Sequence, residues 1–157
     1  MNVVDANTIN PFITSAISVI RTVSEIEAER GKPSIKPLEF DGESALIMLG
    51  VTGELKGHVI FEIENNSAKL LASKMMMGYE VTELDDMALS AISELGNMIM
   101  GNAATIFSKN EKLIDITPPT AVKGNVSFTT QGLINISVPL VTADNKTLLK
   151  INITIAA

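Results

Sequence analysis

Hydrophobic residues recur every three or four positions in three segments of the chain, which is the spacing of a buried helix face. This spacing predicts a first helix over Pro11–Arg30, with Asn10 as its N-cap and Gly31 as its C-terminal stop. A short second helix, capped by one of residues 65–67, is predicted to end at Met77, and its run of methionines favours packing on a sheet over a binding surface.

The third and longest segment, Leu84–Ser108, differs between its two faces. At about 100° per residue, one face is apolar and predicts packing on a core. Its members are Ala88, Ile92, Leu95, Ile99, Ala103 and Ile106. The opposite face, which we call the polar stripe, predicts contact with water or with a partner. Its members are Asp86, Ser90, Glu94, Asn97 and Gly101.

Local signals indicate where this helix starts and where it packs closely. Thr82 and Asp85 resemble a capping box, so the helix is predicted to start near residue 83. Gly96 and Gly101 lie inside it, where each glycine costs about 1 kcal/mol relative to alanine. We therefore expect another group to approach the helix closely at both glycines.

Extended segments make up the rest of the chain. Ala45–Val51 is almost wholly apolar, which is typical of a strand covered on both faces, whereas Val59–Ile63 predicts a strand with one wetter face. After Asn110 the period is two, and the strand candidates are Ile114–Pro118, Thr120–Val122, Ser127–Thr129, Ile134–Val141 and Leu148–Ile155. The order of elements predicts one domain over residues 1–157 with an α+β fold, in which helices pack on a mostly antiparallel sheet.

The last strand candidate, Leu148–Ile155, ends two residues before the final residue and alternates cleanly between apolar and polar side chains. A terminal strand of this kind often lies at a sheet edge, where its unpaired backbone groups recruit a second chain. Lys150 is its only charged residue, so little discourages such pairing. We expect this strand at an edge of the sheet.

Composition excludes several kinds of chemistry. The chain has 157 residues, 46% of them hydrophobic, and no cysteine, so disulfides, thiolate chemistry and Cys-ligated zinc are absent. His58 is the single histidine, which excludes a catalytic triad and a His-rich metal site; we expect it on a strand surface. No glycine-rich phosphate-binding motif occurs, and the net charge of −6 argues against a nucleic-acid partner. Without a membrane-spanning run or a signal peptide, a cytoplasmic location and no membrane contact are expected.

By itself, a polar stripe on an amphipathic helix is most often solvated surface. The pattern Ser90-x3-Glu94-x2-Asn97, followed by Pro118 and Pro119, changes that expectation because it resembles the signature of the CheC/CheX/FliY chemotaxis phosphatases, most closely the CheX branch. The likeness extends in order through INPFITSAISVI, GKPSIKP, LGVTGELKGHVIFEI, YEVTELDD, SELGNMIMGNA and PPTAVKG. The spacing to either proline is slightly shorter than in the family, so either can be the family's proline.

The resemblance implies hydrolysis of the aspartyl phosphate on a CheY-like response-regulator receiver domain. It implies that Asn97 orients the attacking water and that Glu94 pairs with a lysine of the receiver. Ser90 is either a contact at the rim of the docked receiver or a solvated residue. Gly101 either admits the partner's backbone or allows close packing within the chain, and we slightly favour packing.

The resemblance also implies that magnesium belongs to the receiver and that this chain has no metal or cofactor of its own. Family members form dimers through their sheets, which implies a homodimer joined by strands of the C-terminal half, with both polar stripes free. CheC-type relatives carry a second motif on the counterpart of Pro11–Arg30, but this segment has no Glu followed three residues later by Asn, so one site per chain is expected. Two alternatives stay open: a noncatalytic receiver-binding module related to flagellar switch proteins, and a structural domain whose stripe is only solvated.

Overall fold

The computed structural model describes residues 5–156. The expectation of no signal peptide concerns the N-terminal residues 1–10, of which 1–4 lie outside the described residues. The three helices are α1 (Ala6–Ser24), α2 (Asn65–Met75) and α3 (Asp86–Lys109). The strands are β1 (Glu29–Arg30), β2 (Ser34–Ile35), β3 (Leu38–Asp41), β4 (Ser44–Gly53), β5 (Lys56–Glu64), β6 (Ile114–Ile116), β7 (Thr120–Val122), β8 (Asn125–Phe128), β9 (Ile136–Val141) and β10 (Thr147–Ala156). None of the helices in this part of the chain is both long and apolar enough to cross a membrane.

The predicted α+β architecture is confirmed. The large sheet has the order β1-β9-β10-β5-β4-β6, with β2 added on β9 and β7 added on β4, and all its pairings are antiparallel. One face packs against the three helices in a single apolar core, to which Ile47 and Phe61 contribute from β4 and β5. The other face of the same strands carries Leu46 and Ile60, which pack under the small β3–β8 sheet. This confirms that β4 is covered on both faces, whereas the wetter face expected for β5 is partly covered.

The start of α1 differs from the prediction. Asp5 is its N-cap, and the Asp5 carboxylate accepts a hydrogen bond from the Thr8 backbone N–H at 3.0 Å. Asn10 is therefore not the cap, and Pro11 lies inside the helix. A proline there removes the N–H that would bond to the carbonyl of Asn7. This is tolerated because Asn7 is exposed, so water can reach its carbonyl.

The end of α1 also comes earlier than predicted. Glu25 adopts the left-handed conformation that closes the helix, with φ of 60° and its N–H bonded to the Arg21 carbonyl. Gly31 is therefore not a helix stop. Its N–H donates to the Pro139 carbonyl at 2.8 Å, and a side chain at position 31 would meet the ring of that proline at 2.8 Å. The glycine allows the chain to run close beside β9.

The caps of the other two helices also differ from the predicted residues, by one residue in α2 and by three in α3. Glu64, the last residue of β5, is the N-cap of α2 and makes no side-chain cap bond. Asp85 is the N-cap of α3, and its carboxylate accepts from the Ala88 N–H at 2.9 Å. The helix therefore starts at Asp86 and not near residue 83, because Asp85 is itself the cap and Thr82 is not.

The prediction that the last strand lies at a sheet edge is wrong. β10 is inside the sheet, paired with β5 on one side and β9 on the other. Its polar side chains are buried on the face away from the helices: Thr154 donates to Asn135 Oδ1 at 3.0 Å, and Asn152 Nδ2 donates to the Ile60 carbonyl at 3.3 Å. The alternation therefore predicts correctly which side chains share a face, but the side chains of the polar face make their hydrogen bonds inside the protein.

Candidate active site

The structure places the whole polar stripe of α3 on the surface. Its five residues Asp86, Ser90, Glu94, Asn97 and Gly101 are all exposed. The opposite face is buried as predicted, except that Ile106 is only half-buried and Phe107 takes its place in the core. Glu94 and Asn97 are three residues apart, so they follow each other by about 4.5 Å along the helix axis. A carboxylate and a carboxamide are therefore presented side by side.

Gly96, between these two residues, brings the helix down onto the sheet. A Cβ atom at this position would lie 3.0 Å from Cγ2 of Ile47 and 3.5 Å from Cδ1 of Leu49 and from Cδ2 of Phe61. The first distance is shorter than an ordinary carbon–carbon contact. The close approach predicted for this glycine is confirmed, and it fixes the height of Glu94 and Asn97 above the core.

Helix α1 holds α3 from the side through a buried polar contact. The hydroxyl of Ser15, which is fully buried, donates to the Ile99 carbonyl at 2.5 Å and accepts from Asn102 Nδ2 at 3.0 Å. One turn further, the rings of Phe12 and Phe107 meet edge to face with centroids 5.2 Å apart. Both contacts lie on the C-terminal side of Asn97, the nearer of them at Ile99, and they restrict rotation of this part of α3.

Gly101 differs from Gly96, because no atom of the chain lies within 4 Å of the position its Cβ would take. The favoured interpretation, close packing within the chain, is therefore wrong for the described residues. Ser90 is likewise exposed. Both residues border open space on the same side of the helix as Glu94 and Asn97, where a partner can approach.

The charges around the site are free to meet a partner. The Glu94 carboxylate belongs to none of the three ion pairs found among residues 5–156. Within the same range, no three His, Asp or Glu side chains are grouped so as to hold a metal ion.

His58 is on the far face of the sheet and is half-buried rather than on the surface; loss of solvation lowers its pKa.

Pro118 and Pro119 lie between β6 and β7, in a loop fixed to the sheet by the neighbouring Thr117. The Thr117 hydroxyl accepts from the Gly50 N–H at 2.7 Å, and its own N–H donates to the Gly50 carbonyl at 3.0 Å. Pro119 comes directly before β7, which packs beside α3.

Two features near the site escaped the sequence analysis. The Ser15–Asn102 contact joins residues 87 positions apart, and no periodicity reports such a pair. The methionine run at the end of α2 was assigned to packing, which holds for Met75 but not for Met77, which is 98% exposed. Helix α2 ends at Met75 and not at the predicted Met77, so Met77 lies in the turn after the helix.

Comparison with known proteins identifies the family. The family model of the chemotaxis phosphatase CheX matches residues 45–131. The CheY-P phosphatase CheX of Thermotoga maritima is 41% identical over 121 residues, which cover 76% of this chain and 77% of that protein.

Solved structures share the fold over nearly the whole chain. A CheC-like superfamily protein from a Shewanella species superposes with a TM-score of 0.85 at 24% identity, over 98% of this chain and 100% of its own. A chain of the CheX-CheY-BeF3-Mg2+ complex from Borrelia burgdorferi gives a TM-score of 0.78 at 30% identity, over 95% and 97% of the two chains. From the family match over more than half of its residues and the identity to the Thermotoga protein, the chain belongs to the CheX family of chemotaxis phosphatases.

Proposed function

We propose that this chain hydrolyses the aspartyl phosphate of a CheY-like response-regulator receiver domain in chemotaxis signalling. The observation that carries the proposal is the exposed pair Glu94 and Asn97 on a helix that is held rigidly from below and from one side. The Thermotoga relative is named a CheY-P phosphatase, and the Borrelia relative was solved in a complex with CheY. Both names support a receiver as the substrate here.

The chemistry needs little more than positioning. An aspartyl phosphate is a mixed anhydride and is already activated, so phosphoryl transfer is accelerated mainly by orientation and charge stabilisation. The carboxamide oxygen of Asn97 accepts a hydrogen bond from a water molecule and orients it in line with the leaving carboxylate. The water oxygen forms a bond to phosphorus, the bond from phosphorus to the aspartyl oxygen breaks, and the products are inorganic phosphate and a free carboxylate.

Glu94 is proposed to hold the receiver in position through an ion pair. Its free carboxylate pairs with a lysine beside the receiver's phosphoaspartate and thereby sets the position of Asn97 over the phosphoryl group. Ser90 and Gly101 lie on the same stripe and border the docked receiver. Magnesium is proposed to belong to the receiver, where it neutralises phosphoryl charge; the Borrelia complex, which includes Mg2+ together with CheY, supports this placement.

The test separates catalysis from docking. Asn97→Ala is expected to lower kcat for a phosphorylated receiver by about a hundredfold or more, because a misplaced attacking group costs that much. Glu94→Gln is expected to raise KM more than it lowers kcat. Asn66→Ala, at another exposed asparagine, is the control and should change neither constant. An unchanged rate in Asn97→Ala contradicts the proposal, and receiver binding without any hydrolysis by the wild type favours the noncatalytic alternative.

We further propose that residues 1–157 act as one phosphatase domain in the cytoplasm and form a homodimer that leaves both polar stripes free. Because β10 is paired on both sides, the strands of the C-terminal half available at the outer edge of the large sheet are β6 and β7. Sedimentation equilibrium at micromolar concentration tests this, since a single species of 16.8 kDa excludes the dimer.

A further inference from the structure

Three large apolar side chains are exposed beside the start of α3. Met77 is 98% exposed, Tyr79 is 72% exposed and Met87 is 65% exposed, and we call these three residues the apolar patch. Tyr79 and Met87 line one groove of about 260 Å³. Aromatic residues and methionines that stay in water on a folded surface are typical of sites where a protein partner binds.

The backbone holds the apolar patch in place. At the end of α2 the Gly78 N–H donates to the Ser73 carbonyl at 2.8 Å and the Tyr79 N–H donates to the Met76 carbonyl at 3.2 Å. Met77 and Gly78 have φ of 59° and 87°, the left-handed pair that closes a helix. A bulky residue other than glycine is uncommon in that region. The exposure of Met77 is therefore built into a defined turn.

Met87 connects the groove that it shares with Tyr79 to the candidate active site. Met87 precedes Glu94 by seven residues on the same side of α3, which is about 10 Å along the axis. A standard protein interface covers about 800 Å² on each partner, equal to a circle of about 16 Å radius. A receiver centred on Glu94 and Asn97 therefore extends over Met87.

The other end of the helix offers no such contact. Beyond Gly101 the exposed residues of α3 are Thr105, Ser108 and Lys109, all of them polar. The ion pair proposed for Glu94 sets the position of the docked receiver, whereas most of the binding energy at a protein interface comes from a few buried apolar or aromatic anchors. Among the described residues of α3, the most exposed large apolar side chain is Met87 at 65%, followed by Met98 beside Asn97 at 37%, so the strongest candidate anchor lies towards the start of the helix.

We propose that the apolar patch is a second docking contact for the same receiver domain whose phosphoaspartate meets Asn97, an inference that rests on the proposed function. Glu80 and Glu83 line the groove and are exposed, whereas Asp85 is occupied as the helix cap. The complementary face on the receiver is therefore apolar and edged by lysine or arginine. This surface selects among receivers, which all present the same phosphoaspartate to the polar stripe.

The test uses steady-state hydrolysis of a phosphorylated receiver by the full chain. Tyr79→Ser and Met87→Ser are each expected to raise KM about tenfold and to leave kcat unchanged, as for loss of an interface anchor. The matched control is Leu113→Ser, because Leu113 is 66% exposed but lies past the other end of α3; both of its constants should stay at the wild-type values. All three positions are exposed, so equal thermal unfolding curves are expected and verify that each variant is folded.

The salt dependence of kcat/KM tests the role of Glu80 and Glu83 at the groove. In the double variant Glu80→Gln and Glu83→Gln, kcat/KM is expected to fall less steeply with added salt than in the wild type. Equal salt slopes contradict the proposed basic edge on the receiver.

The outcomes separate the two proposals. A wild-type chain that hydrolyses no receiver phosphate refutes the proposed function and the docking contact with it. An active wild type whose patch variants keep the wild-type KM refutes the docking contact alone. Variants that keep KM but lose self-association in sedimentation assign the apolar patch to a second copy of this chain, which also overturns the proposal.

Discussion

Removal of the Ser15 hydroxyl tests whether α1 holds α3 in position. This hydroxyl is fully buried, donates to the Ile99 carbonyl and accepts from Asn102 Nδ2. Ser15→Ala leaves the side chain of Asn102 without this partner, while the Ile99 carbonyl lies inside α3, where a helical N–H can still bond to it. The variant therefore removes the contact between the helices and leaves the backbone of each helix unchanged.

Two opposing effects set the change in the free energy of unfolding that is expected for Ser15→Ala. Loss of a buried hydrogen bond with one partner left behind costs about 1–3 kcal/mol. Alanine is the better helix former by about 0.5 kcal/mol, which offsets part of this cost. The free energy of unfolding is therefore expected to fall by about 1–2 kcal/mol, and in a chain of this length Tm should fall by about 3–6 °C.

Urea unfolding followed by circular dichroism measures this change, and Thr22→Ala is the control. Thr22 also lies on α1 and bonds its hydroxyl to the Ser18 carbonyl, but it is exposed, so its removal should leave stability equal or slightly higher. A double-mutant cycle of Ser15→Ala with Asn102→Ala should give a coupling energy of about 0.5 kcal/mol or more. Zero coupling, or no loss of stability in Ser15→Ala, refutes the inference that this contact braces α3.

Three further perturbations test the fold and the site. Desolvation holds the pKa of His58 in the folded chain below its ordinary value of 6.5, so as pH falls the unfolded chain binds a proton at this histidine before the folded chain does. The free energy of unfolding should therefore decrease as pH falls through 6.5. In urea unfolding at several pH values, His58→Gln should remove this part of the pH dependence. Gly96→Ala gains about 1 kcal/mol of helix propensity but crowds Ile47, so we expect little gain in Tm and a lower kcat. Gly101→Ala has no atom of the chain near its Cβ, so Tm should rise and kcat should stay unchanged; because Gly101 borders the docked receiver, any loss of activity should appear in KM. Equal effects of the two glycine variants on Tm and kcat contradict this. Calorimetric titration of the isolated chain with Mg2+ should show no micromolar binding, and a tight site found there contradicts the assignment of the metal to the receiver.

The two faces of α3 could be predicted from sequence because helical periodicity reports burial directly. The polar stripe and the packing at Gly96 followed from residue spacing and from the cost of glycine in a helix. Helix ends were less predictable because capping signals compete. Asn10 before Pro11 is a good local start for a helix, yet Asp5 caps the chain one turn and a half earlier, and the exposed backbone tolerates the proline inside.

The place of β10 in the sheet could not be predicted, because alternation indicates which side chains share a face and says nothing about which strands are neighbours. Asn152 and Thr154 have the polarity of a solvated face. Their partners are Asn135, on the chain just before β9, and the Ile60 carbonyl on β5, which come from distant parts of the sequence. Polar side chains that make hydrogen bonds with such partners can be buried without a loss of stability. In the sequence they therefore have the same pattern as the exposed polar side chains of an edge strand.

The structure also explains what α1 does in a chain with a single phosphatase motif. Residues 6–24 contain no aspartate or glutamate, so this helix cannot present the carboxylate that the motif requires. Its inward face instead supplies Ser15, which contacts Ile99 and Asn102 of α3, and Phe12, which contacts Phe107. A catalysis that depends on orientation gains from a rigid support as much as from the reacting side chain itself. In this chain α1 therefore acts as the support for the helix that carries Glu94 and Asn97, and its contribution is position rather than chemistry.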